Sequence, residues 1–431
     1  MGRTLMRCAA CGAEVDASQG LIFTCPRASL DDGVDHLLTP VPLEGSDWPE
    51  SDEQNPFLRY RTLLFPYRLA RELGLSDQSY CDLVSELDDA IAQVDGAGFR
   101  ETPILQVDEL GPDVWVKDET RHVGGSHKAR HLMGVMIASL AVERASGRHQ
   151  APPRLAIASC GNAALAAAVI ARAAGRPIDV FIPEDARDSV VRRLTDLEAS
   201  LHICRRSPGV QGDPCMAAFR EAVAAGSVPF SVQGPENGLV VEGGSTLAWE
   251  VVDQLRRKGL APSELFVQVG GGALASGVCG GLQVAHRRGR IEELPVLHTV
   301  QTLGAYPLKR AFERLRDLSV QGSLQSAMSY GRTRRSGFMW PWETPPTSVA
   351  HGILDDETYD WAIPVEMMIA TGGEALAVSE EALREAHQRG RSATGLDVCA
   401  TGTAGLAGLL SKPERSEAGG ARVLLFTGAE R

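Results

Sequence analysis

Residues 155–182, LAIASCGNAALAAAVIARAAGRPIDVFI, contain the pattern that decides the fold. The apolar residues Leu155–Ala158 predict a short strand, and the Ala-rich run 162–174 predicts a helix that ends at Gly175. A second apolar strand, Ile178–Ile182, follows this helix. Apolar strands joined through a helix are typical of a parallel sheet whose two faces are both covered.

The same alternation of strands and helices runs outward from this stretch, from about residue 103 to a strand at 422–426. We therefore expect an α/β protein with parallel sheets covered on both faces. Residues 1–45 are expected to form a separate Cys-bearing segment. Residues 321–352, rich in Ser, Gly, Pro and Trp, predict a long loop.

Length, charge and cysteine content exclude several classes of protein. The 431 residues carry 43 Lys and Arg against 55 Asp and Glu, and the formal charge of −12 argues against nucleic acid or an anionic membrane as partner. No apolar run reaches the ~18 residues of a spanning helix, and no secretory signal is visible. Nine scattered Cys favour a reducing compartment. We expect a cytoplasmic metabolic protein.

A run of three glycines follows the apolar strand at 265–269. This run, Gly270-Gly271-Gly272-Ala273-Leu274, leads directly into a predicted helix at 273–287. Glycines let the backbone approach a ligand closely, and a helix N-terminus adds partial positive charge, so the turn suits a phosphate. The alternative is a tight strand-to-helix turn that binds nothing.

A second polar turn, Ser159-Cys160-Gly161-Asn162, separates the strand and the helix of the opening stretch. Its N–H groups and side chains could hold a carboxylate or an aromatic hydroxyl. Ordinary N-capping of the helix by Ser159 or Asn162 would explain the same residues.

Lys128 follows a glycine turn, Gly124-Gly125, at the start of a predicted helix. An amine against a positive helix end has a lowered pKa, and such lysines form Schiff bases, although a lone lysine is more often a solvated surface residue. Thr427 supplies a neutral hydroxyl at the end of the final strand. Together with the glycine run, these groups match the needs of pyridoxal phosphate: an amine, a phosphate site and a partner for the ring nitrogen.

Several stretches stand in the order found in one enzyme family. They are GSHKAR at 125–130, SCGNA at 159–163, VEGGSTLAWEVVDQL at 241–255, GGGAL at 270–274 and TG at 427–428. This set resembles the tryptophan synthase β family of pyridoxal-phosphate enzymes, known as fold type II. Within the family, the head of the chain is similar to threonine synthase and cysteate synthase, through its Cys-bearing segment, FLRYRTLL at 57–64 and TPI at 102–104.

The resemblance implies a role for each matching residue. Lys128 would carry pyridoxal phosphate as a Schiff base and move the α-proton of an amino acid. The implied cofactor contacts are Lys128, Asn162 at the ring oxygen, Gly270, Gly271, Gly272, Ala273 and Leu274 at the phosphate, and Thr427 at the pyridine nitrogen. The implied substrate contacts are Ser159, Cys160, Gly161 and Asn162.

The resemblance also implies the domain organisation. It implies two doubly wound parallel-sheet domains with the cofactor in the cleft between them. The large domain would comprise 57–125 and 233–431, and the small α/β domain 126–232.

A hydroxyl such as that of Thr427 does not keep the ring nitrogen protonated, which favours elimination and replacement over transamination. The nearest implied reaction is that of threonine synthase, O-phosphohomoserine plus water giving threonine and phosphate. One alternative is a β-replacing or deaminating enzyme of the cysteate synthase or ammonia-lyase kind, and another is a non-catalytic relative. A homodimer is the usual assembly for such folds.

Two departures from the family pattern lie near its motifs. His127 and Ala129 flank the reactive lysine where the family commonly has an aromatic residue and Asp, so His127 either packs or contacts substrate. The N-terminal Cys8, Cys11 and Cys25 lack a fourth cysteine, and His36 could replace it only at an irregular spacing. The sequence leaves open a zinc site or a metal-free relic of one, and favours the relic.

Overall fold

The computed structural model describes residues 3–29, 32–42, 45, 47–147, 152–205, 213–412 and 420–431. The N-terminal segment forms a small antiparallel sheet of β1 (Leu5–Cys8), β2 (Glu14–Asp16) and β3 (Leu38–Pro40), in the order β2-β1-β3. Met6, Cys8 and Leu38 are buried in the same apolar cluster as the helices behind them. The segment therefore packs onto the main core.

The remaining strands form one six-stranded and one four-stranded sheet. In chain order they are β4 (Ile104–Gln106), β5 (Val114–Asp118), β6 (Leu155–Ala158), β7 (Ile178–Pro183), β8 (Ser200–Cys204), β9 (Val228–Pro229), β10 (Pro262–Gln268), β11 (Val296–Thr302), β12 (Ala375–Val378) and β13 (Ala421–Phe426). The large sheet has the order β12-β11-β10-β13-β5-β4, and the small sheet has the order β8-β7-β6-β9. All pairs are parallel except β4 with β5.

Helices cover both sheets. They are α1 (Pro56–Arg59), α2 (Phe65–Glu72), α3 (Asp77–Asp95), α4 (Lys128–Ser146), α5 (Asn162–Ala173), α6 (Asp188–Asp196), α7 (Pro214–Ala224), α8 (Val240–Gly243), α9 (Ser245–Arg256), α10 (Ala273–Arg287), α11 (Pro307–Gln321), α12 (Leu324–Arg332), α13 (Ala362–Thr371), α14 (Glu380–Thr394) and α15 (Ala404–Leu410). In the described part of the chain, no helix combines the length and apolarity needed to cross a bilayer.

Strand β13 shows why the strands of the large sheet are continuous apolar runs in the sequence. Val423 and Leu425 belong to the apolar cluster on one face, and Leu424 and Phe426 belong to the cluster on the other. Successive side chains of a strand point to opposite faces, so burial on both faces leaves no polar alternation. This confirms the expected α/β class with parallel sheets.

Two details differ from the expected fold. The edge strand β4 is antiparallel, because it reaches β5 through a short hairpin rather than a helical crossover. The expected loop at 321–352 contains helix α12, whose N-terminus is capped by the Ser323 side chain accepting from Ser326 N. The domain boundaries stay a prediction, although all four strands of the small sheet lie between residues 155 and 229.

Candidate active site

A cavity of about 520 Å³ lies where the carboxyl ends of strands from both sheets face each other. This is the edge at which parallel α/β sheets bind ligands, and the volume suits a cofactor with a small substrate. Every residue that the sequence assigned to cofactor or substrate lies on its wall. They are His127, Lys128, Ser159, Cys160, Gly161, Asn162, Gly270, Gly271, Gly272, Ala273, Leu274 and Thr427.

Lys128 is the first residue of α4, and its half-buried side chain reaches the cavity. Among the described residues, its amine makes no hydrogen bond or ion pair. Burial lowers the pKa of this amine below its usual range, and the nearby carboxyls of Asp355 and Asp360 oppose the shift only in part. A neutral, unpaired amine is the form that attacks a carbonyl carbon.

A buried ionic network holds the first turn of α4 in place. The Arg130 guanidinium donates from Nε to Glu119 Oε2 at 2.8 Å and from Nη1 to Glu250 Oε1 at 2.7 Å. The Lys117 ammonium donates to the other Glu250 oxygen at 2.6 Å. All four side chains are fully buried, and their charges cancel. Because Arg130 is two residues from Lys128, this network fixes the backbone that carries the amine.

The glycine turn after β10 has a backbone that only glycine adopts easily. Gly272 has φ +95° and precedes α10, whose N-terminus no side chain caps. A Cβ at this position would lie 2.5 Å from the carbonyl oxygen of Asp360. The free N–H groups at the start of α10 leave this turn suited to an anion.

The turn after β6 has the same character. Helix α5 is preceded by Gly161, and no side chain of the described residues caps it. Ser159 Oγ accepts a hydrogen bond from Gly161 N at 3.4 Å, outside the helix. A Cβ on Gly161 would meet no heavy atom within 4 Å. The N-terminus of α5 is therefore open toward the cavity, which lies in front of it.

Thr427 lies at the end of β13, in the middle of the large sheet. Its Oγ1 accepts a hydrogen bond of 2.7 Å from Gln268 Nε2, which also donates to the carbonyl oxygen of Leu425 at 2.9 Å. Since Gln268 supplies the donor, the Thr427 hydroxyl proton is left to point into the cavity. His127 is buried, its Nδ1 is 3.2 Å from the Thr427 carbonyl oxygen, and its Nε2 has no partner among the described residues.

Further residues line the cavity beside those of the motifs. Gln268 ends the apolar strand β10 and carried no sequence signal of its own. Arg187 reaches from the small sheet to His351, with Nη2 3.2 Å from Nδ1 across the cavity. Asp355 lies beside Gly270, close enough that a Cβ there would be 2.3 Å from its Oδ2.

Other residues near the predicted loop at 321–352 lie away from the described cavity wall. Trp340 and Trp342 enclose the Arg310 guanidinium, whose Cζ lies 4.1 and 4.4 Å from the two ring centroids. Neither is among the described residues that line the cavity. Arg332 pairs with Glu366 and Arg335 with Glu357, so neighbouring carboxylates neutralise these two arginines.

The residues present fit pyridoxal phosphate. The unpaired amine of Lys128, the uncapped N-termini of α5 and α10, and a hydroxyl proton from Thr427 face one cavity. These groups match the aldehyde, the anionic groups of cofactor and substrate, and the pyridine nitrogen. The assigned roles stay predictions, since the geometry gives only the placement.

Asp360, which lies against the glycine turn, gives the stability of the fold a pH dependence. Burial raises the pKa of its carboxyl to about 7, although Gly234 N donates to its Oδ2 at 3.1 Å. Between about pH 4 and 7 the folded state therefore holds a proton that the unfolded chain has lost, so stability falls as the pH rises through this window. We expect Asp360→Asn to remove that loss and to stabilise the protein at pH 8 by up to about 4 kcal/mol.

Urea unfolding at pH 5 and pH 8 measures this effect. At pH 5 only about a third of this window has been crossed, so the two proteins should differ by about 1.5 kcal/mol there. The exposed Asp317→Asn is the control and should shift neither curve. Equal stabilities of wild type and Asp360→Asn at pH 8 would contradict the argument.

Comparison with known proteins adds a family match. The sequence model of the family described as "Pyridoxal-phosphate dependent enzyme" matches residues 97–428. Among solved structures, a threonine deaminase from the organism abbreviated T.th. has a TM-score of 0.59 at 23% identity, covering 80% of this chain and 98% of that one. At this identity the likeness concerns the fold.

Curated relatives differ in their named activities. The "Serine dehydratase-like" protein of Mus musculus is 29% identical over 251 residues, 57% of this chain and 70% of the relative. The "Threonine synthase" of Methanocaldococcus jannaschii is 25% identical over 304 residues, 70% of this chain and 66% of the relative. The matches favour the ammonia-lyase alternative over the threonine synthase reaction that the N-terminal motifs suggested.

Proposed function

Because the chain belongs to the family of pyridoxal-phosphate-dependent enzymes, we propose that it is an ammonia-lyase acting on a β-hydroxy amino acid such as L-serine or L-threonine. The observation that carries the proposal is the unpaired Lys128 amine in one cavity with two uncapped helix N-termini. The named activities of the dehydratase relatives support the β-hydroxy substrate.

The net reaction for L-serine is loss of ammonia to give pyruvate. The α-proton and the β-hydroxyl leave as water, and hydrolysis of the resulting enamine consumes one water and releases ammonia. The chemistry supplied by bound pyridoxal phosphate is withdrawal of electrons from the α-carbon. The protein must therefore hold the substrate, move the α-proton and assist the departure of the hydroxyl.

Lys128 is the proposed proton carrier. Its lowered pKa increases the neutral fraction of the amine, which is the form that accepts the α-proton. The turn at 159–162 is the proposed holder of the substrate carboxylate, through the first N–H groups of α5. The glycine turn at 270–272 is the proposed holder of the cofactor phosphate.

Asp355 is the proposed acid beside that phosphate. Burial raises the pKa of its carboxyl to about 6, with the Lys128 amine lowering it only in part. A phosphate in the adjacent glycine turn would raise it further, because like charges disfavour ionisation. We expect Asp355 to be protonated in the loaded enzyme, where it can donate to the phosphate or to the leaving hydroxyl.

Thr427 is the proposed partner of the pyridine nitrogen. A carboxylate there would keep the nitrogen protonated, whereas the hydroxyl held by Gln268 donates a neutral hydrogen bond. A ring that is not protonated withdraws electrons less strongly, which favours prompt loss of the leaving group over transamination.

The test is incubation of the loaded protein with L-serine, L-threonine, diaminopropionate and O-phosphohomoserine. Ammonia with pyruvate from serine, or with 2-oxobutanoate from threonine, is the expected result. Formation of threonine and phosphate from O-phosphohomoserine, with no turnover of the other three compounds, would replace the proposal with the synthase reaction. That reaction is the second candidate because of the Methanocaldococcus jannaschii relative. Turnover of none of the four would overturn the proposed substrate class.

Gly161→Leu tests the carboxylate site. A side chain at this position extends into open cavity space and should block the N-terminus of α5 without straining the backbone. We expect the KM for the amino acid to rise about 10- to 100-fold, the cost of lost charge-assisted hydrogen bonds, with the melting temperature unchanged. Gly337→Leu is the matched control, since a Cβ there also meets nothing within 4 Å and the residue lies outside the described cavity wall. An unchanged KM in Gly161→Leu would place the carboxylate elsewhere.

A further inference from the structure

Three cysteines and a histidine of the N-terminal segment meet at one point. One ligand atom each from Cys8, Cys11, Cys25 and His36 all lie within 4.8 Å of one another. The Cys11 and Cys25 sulfurs are 3.6 Å apart, and the Cys8 sulfur is 3.4 Å from His36 Nδ1. A tetrahedral zinc site with Zn–S bonds of about 2.3 Å has ligand atoms about 3.8 Å apart, so the spacing is that of a metal site.

His36 is oriented for coordination by a neighbouring carboxylate. Its Nε2 lies 3.0 Å from Asp32 Oδ2, which turns Nδ1 toward the sulfurs. Asp32 is itself fixed, since the backbone N–H groups of Ser29 and Val34 donate to its two oxygens at 3.1 and 2.9 Å. A carboxylate that holds the second ring nitrogen is the usual support for a histidine that binds zinc.

The backbone around the cysteines also suits thiolates. Cys8 ends β1, and the turn after it, with Gly12 at φ +68°, brings Cys11 back toward it. The N–H of Arg27 donates to Cys25 Sγ at 3.4 Å. Cys8 and Cys25 are buried, as in a site closed to solvent.

We propose that Cys8, Cys11, Cys25 and His36 bind one Zn²⁺ as a structural site. His36 takes the place of the missing fourth cysteine. It reaches the cysteines despite its irregular spacing in the sequence because β3, which begins two residues later, pairs with β1. Four protein ligands leave no open position, so the metal holds the segment together and does no chemistry.

The site stabilises a strand that supports the cavity wall. Leu38, two residues after His36, lies directly against Gly238, where a Cβ would be 1.5 Å from the Leu38 carbonyl oxygen. Gly238 N also donates to Phe23 O at 2.9 Å. The same loop carries Gln233 on the cavity wall and Gly234, which binds Asp360. The zinc therefore fixes the loop behind the candidate active site.

The experiment is metal analysis of the full chain, purified under reducing conditions without a metal-affinity tag. One zinc per chain is expected by plasma mass spectrometry, with loss of metal in Cys11→Ser and His36→Ala. Cys81→Ser, a partly buried free cysteine on α3 outside the cluster, is the matched control and should keep the metal.

Cobalt titration of the wild-type protein provides a readout that needs no variant. After zinc removal, one equivalent of Co²⁺ should give thiolate-to-cobalt charge-transfer absorption and the visible bands of a tetrahedral site, and Zn²⁺ should displace them. Substoichiometric zinc together with no cobalt spectrum would overturn the proposal. A Cys11–Cys25 disulfide in protein purified under reducing conditions would also overturn it, and so would equal loss of metal in Cys81→Ser. None of these readouts depends on catalysis, so they stand apart from the proposed function.

Discussion

Replacing Lys128 by alanine should abolish covalent binding of pyridoxal phosphate and lower the rate of ammonia release by about 10²- to 10⁴-fold. The amine is the cavity's proposed attachment point and its proposed proton carrier, and the pKa shift caused by burial favours its neutral form. The visible absorbance of the lysine-bound cofactor should disappear in the variant. Borohydride reduction of the wild type should fix the cofactor to the peptide that contains Lys128.

Lys258→Ala is the control for this experiment, because Lys258 is an exposed lysine whose amine lies over the Trp115 ring, away from the cavity. Its absorbance and rate should equal those of the wild type. A labelled peptide that contains another lysine, or ordinary turnover by Lys128→Ala, would show that Lys128 is not the attachment point.

Replacing Glu250 by glutamine should destabilise the fold by about 3–5 kcal/mol. The substitution leaves Lys117 and Arg130 fully buried with only Glu119 to balance them. Removing one partner of a buried ion pair is costly because the remaining charge keeps its desolvation penalty. Chemical unfolding followed by circular dichroism measures the change.

Glu86→Gln is the matched control. Its partner Arg144 is 38% exposed and Glu86 itself 64% exposed, so loss of this surface pair should cost at most about 1 kcal/mol. The double variant Glu250→Gln, Lys117→Met removes one charge of each sign and should recover part of the stability. No recovery would mean that the lost hydrogen bonds, rather than the unbalanced charge, cause the effect.

The local parts of the site could be predicted because each is encoded in a few adjacent residues. The strand Leu155–Ala158 agrees with β6, and the helix predicted at 162–174 agrees with α5 to within one residue. Gly270–Leu274 and Ser159–Asn162 each follow an apolar strand, and parallel strands carry such turns to one edge. Strand order places each turn at the ligand-binding edge of its own sheet, whereas their shared cavity depends on how the two sheets face each other.

The remaining groups could not be found this way because their partners are distant in the sequence. Asp355 and Asp360 lie more than two hundred residues from Lys128, just after the predicted loop at 321–352, and only the folded chain brings their charges near its amine. Helix α13 consists of the largely apolar run AIPVEMMIAT, which lacks the polar face that marks an amphipathic helix. The contact of His36 with the cysteines likewise depends on the pairing of β1 with β3.

The position of β13 in the large sheet also governs how the chain is assembled during translation. This strand lies between β5 and β10, yet it leaves the ribosome after every other strand of the sheet. Until then, the nascent sheet is split into two pieces with unpaired apolar edges, which invite aggregation and chaperone binding. Insertion of β13 joins the two pieces and places Thr427 at the cavity in the same step. The site is therefore complete only when the six-stranded sheet is complete.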